Sequence, residues 1–190
     1  HDWYLSMNHQ GDGLSKHLIS GLNPKGVPKS LKNTVFPFNY NDYETLLSIV
    51  NKNNIGVIKM EVMRNFPPKN NFLEKVRTLA TQKNIVLIFD ECSSGFRETY
   101  GGIHQKFNID PDIAMFGKTL GNGYAITAIV GKEEVMNYAQ ETFISSTFWT
   151  ERIGPVAGLE SLKQMEKLKS WKKITEIGKK VQKGWLKLSE

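Results

Sequence analysis

Two short stretches hold the side chains best suited to chemistry. In VLIFDECSSGFR, Val86 to Arg97, two adjacent carboxylates, Asp90 and Glu91, end an apolar run. In IAMFGKTLGNG, Lys118 follows Gly117 and leads into the glycine-rich turn Leu120-Gly121-Asn122-Gly123, 28 residues beyond Asp90. A charge carried into a buried strand is costly unless it is paired, so Asp90 needs a cation. Three roles stand open for it: a helix N-cap, a structural ion pair with Arg97, or a contact to a cationic group on a ligand. Glycines around Lys118 let the backbone come close to a ligand and hold the amine in place. A lysine that loses its proton in a desolvated site can act as a nucleophile and carry protons.

Strands and helices have to position these groups. Residues 5–39 are polar and broken by Gly11, Gly13, Gly21, Pro24, Gly26, Pro28 and Pro37, which predicts a long irregular excursion with at most short elements. Asn41 with Glu44 predicts the cap of a helix carrying Tyr43, Leu46, Leu47 and Val50 on one face. IGVIKM (55–60) predicts a strand, and residues 70–83 a helix with Leu73, Val76, Leu79 and Ala80 at helical spacing. NIVLIF (84–89) then predicts a strand apolar on both faces. Strand, helix, strand in that order predicts a right-handed crossover in a parallel sheet covered on both sides. Strands at 112–116 and 125–130, a helix from about Glu133 and a long amphipathic helical stretch beyond Pro155 complete an α/β class. Ligands of such sheets gather at the carboxyl ends of the strands, where Asp90 falls.

Composition narrows the function classes. The 190 residues, 39% of them apolar, suffice for one domain with a sizeable core. Cys92 is the single cysteine, and no run nears the roughly 18 consecutive apolar residues that span a bilayer. A cytoplasmic chain without a membrane partner is the expectation. The net charge of +6 is local, because residues 161–190 carry nine lysines against three glutamates and the remainder balances. That surplus reads as a solvated helix face, with a phosphate-binding patch as its competitor, and no nucleic-acid partner is expected. His1, His9, His17 and His104 lack metal-ligand spacing and read as surface or loop residues, with no metal expected. The opening on His1-Asp2-Trp3-Tyr4 without Met, and the close inside a helical pattern, lead us to expect a piece of a longer protein.

FGKT beside LIFDE invites a nucleotide-binding P-loop with its acidic strand. That pattern needs a glycine at position 112, where the chain has Asp112, and it places the acidic strand after the lysine, whereas here it comes before. The dinucleotide fingerprint G-x-G-x-x-G and the nucleophile elbow G-x-S-x-G are absent.

LIFDE with GFR (95–97), PDI (111–113) and GKTLGNG (117–123) together resemble the class III aminotransferases, pyridoxal-phosphate enzymes of fold type I, and among them the branch that includes glutamate-1-semialdehyde aminomutase. HDWY at the start, GVP (26–28), FPFNYND (36–42), MEVMR (60–64) and SSTF (145–148) are similar too, in the family's order along nearly the whole chain. The resemblance implies part of a large cofactor domain over 1–160, a mostly parallel sheet with helices on both faces, and over 161–190 the start of a helix leading to a small C-terminal domain.

It also implies roles for residues. Lys118 would carry the Schiff base to pyridoxal 5'-phosphate and then move a proton, and Asp90 would hold a proton on the cofactor's ring nitrogen. Cys92 stands where the family puts a small branched apolar residue against the ring, and Thr147 matches a threonine that donates to the phosphate across a homodimer interface. Glu61 matches the glutamate of the family's E-P pair, although Val62 replaces the proline; Glu91 and Ser146 are further possible contacts. A small-molecule amino donor and acceptor follow as partners. The family's phosphate-binding turn and ring-stacking aromatic lie before the segment matching His1, and its small domain after Glu190, so the chain by itself is expected to be inactive. Beside amino-group transfer stand a non-catalytic fragment or degenerate homologue, and a P-loop ATPase.

Overall fold

Val86–Asp90 forms the strand on which the site depends, β2, and its neighbours follow from parity. In the computed structural model, which describes residues 2–11 and 21–189, the chain divides into two compact units, His1–Asn54 and Ile55–Glu190. The first unit holds short helix α1 (Asp2–Ser6), two 3-10 turns (Met7–Gln10 and Lys29–Leu31) and helix α2 (Tyr43–Lys52). Within 5–39, where residues 12–20 lie outside the described ones, the short elements of the remainder are what the glycines and prolines predicted. The cap of α2 differs: Asn41 takes a left-handed φ of 68°, and Asp42 becomes the N-cap, its Oδ1 accepting from the Thr45 amide at 3.0 Å and its Oδ2 from the Thr45 hydroxyl at 2.7 Å. Leu46 and Val50, one turn apart, form its buried stripe.

The second unit is built on a sheet in the order β1-β2-β3-β4, with β1 (Val57–Met60), β2 and β3 (Ile113–Phe116) parallel and β4 (Ala128–Gly131) antiparallel to β3. Helix α3 (Phe72–Gln82) is the crossover between β1 and β2. Helices α4 (Glu133–Met136), α5 (Ile153–Leu168) and α6 (Ser170–Leu188) follow, so the sheet is flanked by helices as expected.

Coverage of the two faces is unequal. Leu87 and Phe89 are fully buried beneath α3, whose Phe72, Leu73, Val76, Leu79 and Ala80 are all buried, and Ile58, Met60 and Ala114 are buried on the same sheet face. The alternate residues Lys59, Ile88, Asp90, Ile113 and Met115 share the opposite face and are half-buried or exposed. The apolar run that suggested burial on both sides therefore alternates within this chain, and Asp90 stands on the open side.

Several predicted boundaries move, mostly where asparagine accepts a left-handed backbone. Asn70 and Asn71 (φ 52° and 56°) delay α3 to Phe72, and Asn84 (φ 53°) delays β2 to Val86, which makes Asp90 its last residue. The strand expected at 125–130 runs from Ala128 to Gly131, and the helix expected from Glu133 lasts one turn before a 3-10 segment, Asn137–Glu141. The long stretch beyond Pro155 breaks at Lys169 (φ 49°) into α5 and α6, and residue 161 lies inside α5.

Asp112 ties the layers together. Its Oδ2 accepts from the Leu87 amide at 2.8 Å and from Arg77 Nη1 of α3 at 2.9 Å, while its Oδ1 pairs with Lys132 Nζ at 2.7 Å. Burial pushes this carboxyl up, but the Leu87 amide, Lys132 and Arg77 outweigh it and hold it below the usual value. A depressed carboxylate adds stability that is fully present above its unfolded-state value and lost as pH falls through the folded one. We expect Asp112→Ala to cost about 3 kcal/mol in denaturant unfolding, because two cations lose their partner. Below pH about 4 the wild type should lose stability more steeply than Asp112→Asn.

Candidate active site on the open face of the sheet

Adjacent carboxylates at the end of β2 leave the strand toward opposite sides, and each finds different company. Glu91 is fully buried: its Oε1 lies 2.9 Å from His104 Nδ1 and accepts from the His104 amide at 3.1 Å, and its Oε2 accepts a short hydrogen bond from Ser94 Oγ. Burial raises this carboxyl, and the bonds from His104, Ser94 and the Ile103 amide more than offset that, leaving it below its ordinary value. His104, expected on the surface, is buried, with its ring 6.0 Å from that of Phe89 on the closed face. Gly102 makes the approach possible, since a Cβ there would stand 2.3 Å from the His104 ring. Glu91 is thus engaged inside the fold.

Asp90 faces the open side. Its Oδ2 pairs with Lys59 Nζ at 2.8 Å and its Oδ1 accepts from the Cys92 amide at 3.1 Å. Partial burial raises its pKa, but the hydrogen bond and charge of Lys59 and the Cys92 amide win, so the carboxylate stays ionised at neutral pH. The cation that the sequence demanded is Lys59; Arg97 donates instead to the Ser93 carbonyl at 2.6 Å.

Lys118 enters from the turn after β3. Its backbone is left-handed (φ 41°), and the turn is closed by the Leu120 amide on the Gly117 carbonyl at 3.0 Å and the Asn122 amide on the Lys118 carbonyl at 3.0 Å. The amine donates to Ser93 Oγ at 2.5 Å, which tethers this turn to the loop that follows Asp90. The sequence suggested a desolvated amine, whereas Lys118 is exposed: the residues around it in this chain hold it without covering it. Gly117 is buried, and a Cβ on it would sit 3.4 Å from Cys92 Sγ and 3.4 Å from Thr127 Cγ2.

Asp90, Cys92 and Lys118 therefore come together. Glu61 directly follows β1, its Oε2 3.8 Å from Arg64 Nε, while Val62 in the proline's place is fully buried in the core. Ser146 and Thr147 lie on the exposed stretch 141–150, where the Ser146 hydroxyl accepts from the Phe148 amide at 3.2 Å in a local turn; no hydrogen bond or ion pair joins them to Lys118. His1 and His17 lie outside the described residues, and His9 falls in the Met7–Gln10 turn. Among the described residues no helix is long and apolar enough to cross a membrane.

Sequence reasoning passed over Lys59 and Ser93. Lys59 carried a signal: a charged residue in an apolar strand, which in the parallel register pairs with Ile88 and so shares a face with Asp90. Ser93 carried none, since only the folded loop brings it to the Lys118 amine.

The Cys92 thiol is pushed up by burial and by the neighbouring Asp90, against opposing pulls from Lys118 and Lys59. It stays a neutral thiol near pH 7, beside the Lys118 amine. Alkylation of Cys92 by iodoacetamide at pH 8 should be slower than that of free cysteine, with its pH profile displaced upward. A faster reaction would contradict the assignment.

Compared with known proteins, the chain matches the class-III aminotransferases over residues 62–190. It is 40% identical over 154 residues to the 3-aminobutyryl-CoA aminotransferase of Cloacimonas acidaminovorans, covering 75% of this chain and 36% of that protein. It is 37% identical over 174 residues to the glutamate-1-semialdehyde 2,1-aminomutase of Sulfolobus acidocaldarius, covering 88% and 40%. The chain thus spans 36% and 40% of the length of these two relatives. Among solved structures, it shares its fold with an omega-transaminase from Sphaerobacter thermophilus, with a TM-score of 0.69 and 24% identity over 77% of this chain and 36% of that one. The same holds for the FumI protein of Sphingopyxis sp. MTA144 in its PLP internal aldimine form, with a TM-score of 0.71 and 22% identity over 85% and 43%. An α/β sheet that seats a carboxylate beside a tethered lysine agrees with the match that spans most of the sequence: the chain belongs to the class-III aminotransferase family.

Proposed function

We propose that this chain supplies the lysine and the ring-binding carboxylate of a pyridoxal-phosphate-dependent enzyme that transfers an amino group between small molecules, or within one. The observation that carries this reading is the pairing, on one open sheet face, of an ionised Asp90 with a Lys118 amine bonded to the loop three residues beyond it. The residues present fit the cofactor: a carboxylate for a ring nitrogen, an amine for an aldehyde, and between them a floor of Gly117, Cys92 and Thr127 without a side chain on the glycine.

Pyridoxal phosphate, when bound, supplies an electron sink that is strongest with its ring nitrogen protonated. Asp90 holds that proton by charge pairing, and the Cys92 amide on Oδ1 orients the carboxylate. Lys118 Nζ would hold the cofactor's aldehyde carbon and, as a free amine, would carry a proton at the substrate's alpha carbon. Ser93 Oγ orients the free amine by accepting from it. Cys92, a neutral thiol, packs against the ring and does not compete for the aldehyde. Thr147, on its exposed turn, donates to the phosphate of the neighbouring subunit in a homodimer, and the single free thiol agrees with a cytoplasmic location.

Borohydride reduction of the cofactor-loaded full-length protein should leave one phosphopyridoxyl group, on Lys118, and Lys118→Ala should abolish it; labelling of another lysine would refute the assignment. For Thr147, mixed dimers of Lys118→Ala and Thr147→Ala subunits are the measurement. If Thr147 acts across the interface, both defects fall in one site, the other site stays intact, and the mixed dimers recover about half of wild-type activity.

A further inference from the structure

The open face carries two amines, and they are sorted. Lys118 Nζ is taken by Ser93 Oγ, while Lys59 Nζ sits on Asp90 Oδ2 at 2.8 Å. The second contact follows from strand register: β1 and β2 run parallel with Lys59 opposite Ile88, so the lysine needs to reach only two residues up its own side to meet the carboxylate that ends β2. Among the described residues β1 lies at one end of the sheet order, and the Lys59 side chain is 52% exposed against 22% for Asp90. The lysine can therefore swing into solvent without disturbing the core, while the carboxylate cannot leave. Each Asp90 oxygen already has one partner, the Cys92 amide on Oδ1 and Lys59 on Oδ2, so a cationic ligand would have to share the carboxylate with Lys59.

We infer that Lys59 is a competing cation for the carboxylate of Asp90: it fills the place of the cofactor's ring nitrogen while the site is empty, and cofactor binding has to displace it. This rests on the reading of Asp90 as the ring nitrogen's partner. Two cations on one carboxylate repel each other, so a protonated ring nitrogen brought to Asp90 and the Lys59 ammonium already on it cannot both keep their full attraction. In return, Lys59 keeps Asp90 ionised and in position when no ring is present, which spares the empty protein an unpaired, half-buried charge. Lys59 is thus a positioning residue whose gain in the empty state is a loss in affinity for the loaded one.

The test uses two probes on the full-length protein freed of cofactor: pyridoxal 5'-phosphate, and its analogue in which carbon replaces the ring nitrogen. Equilibrium titration should show Lys59→Met binding pyridoxal 5'-phosphate about two- to fivefold more tightly than wild type, the range expected for releasing a partly exposed ion pair. The carbon analogue, with nothing to place on Asp90, should bind Lys59→Met no more tightly than wild type. Lys59→Arg, which keeps the charge, should bind both probes as the wild type does. If Lys59→Met does not fold, Lys59→Gln, which keeps a hydrogen bond to Asp90 without the charge, carries the same expectation. Unchanged or weaker binding of pyridoxal 5'-phosphate by the neutral variants, or equal tightening for both probes, overturns the inference while leaving Asp90's role intact. A neutral Lys59 variant that binds the two probes equally well removes that role, and the inference with it.

Discussion

Everything at this site depends on the two-residue period of a strand meeting two consecutive carboxylates. At the end of β2 that period turns Asp90 to the open face and Glu91 into the interior, and neither position could exchange its solution for the other's. Glu91 has no access to water, so its charge is met by a ring nitrogen, two backbone amides and a hydroxyl, all fixed by the 3-10 turn at Ile103–Phe107 and by Ser94. Once those bonds are made, the backbone of Glu91 is anchored, with its amide on the Met115 carbonyl at 2.8 Å. Asp90, one residue earlier, inherits that rigidity. The internal carboxylate is thus the foundation on which the open-face one stands.

The loop after β2 repeats this logic. Between Cys92 and Arg97 it returns an amide to Asp90, a hydroxyl to Lys118, a hydroxyl to Glu91 and a carbonyl to Arg97. Four short contacts from consecutive residues bind the strand end, the lysine turn and the buried network into one piece. Preorganisation of this kind lets a site present charge without spending binding energy on arranging it. The carboxylate Asp112 does the same at the other end of the strands, where it fastens α3 and the residue that follows β4 to the starts of β2 and β3.

Much of this was legible in the sequence, because it rests on local patterns. Leu73, Val76, Leu79 and Ala80 announce the buried stripe of α3, and the apolar run into Asp90 announces a strand that ends on a carboxylate. Glycines around Lys118 announce a turn that holds an amine. What was not legible depends on register or on distance along the chain. Lys59 meets Asp90 only when two strands are aligned, and His104 meets Glu91 across 13 residues of irregular backbone. Element ends were misjudged for a third reason. Asn41, Asn70, Asn71 and Asn84 all adopt the left-handed conformation that is usually assigned to glycine, and each ends or delays an element by a residue or two.

One backbone angle has a wider consequence. Lys118 sits at φ 41°, a conformation that costs a residue with a Cβ about 1 kcal/mol and costs glycine nothing. Between Gly117 and the turn at 120–123, the fold by itself would favour a third glycine. Selection for stability alone would thus favour glycine over lysine at this position, at the loss of the amine. A copy of this chain under selection for stability alone would be expected to trade Lys118 for glycine and to keep its shape.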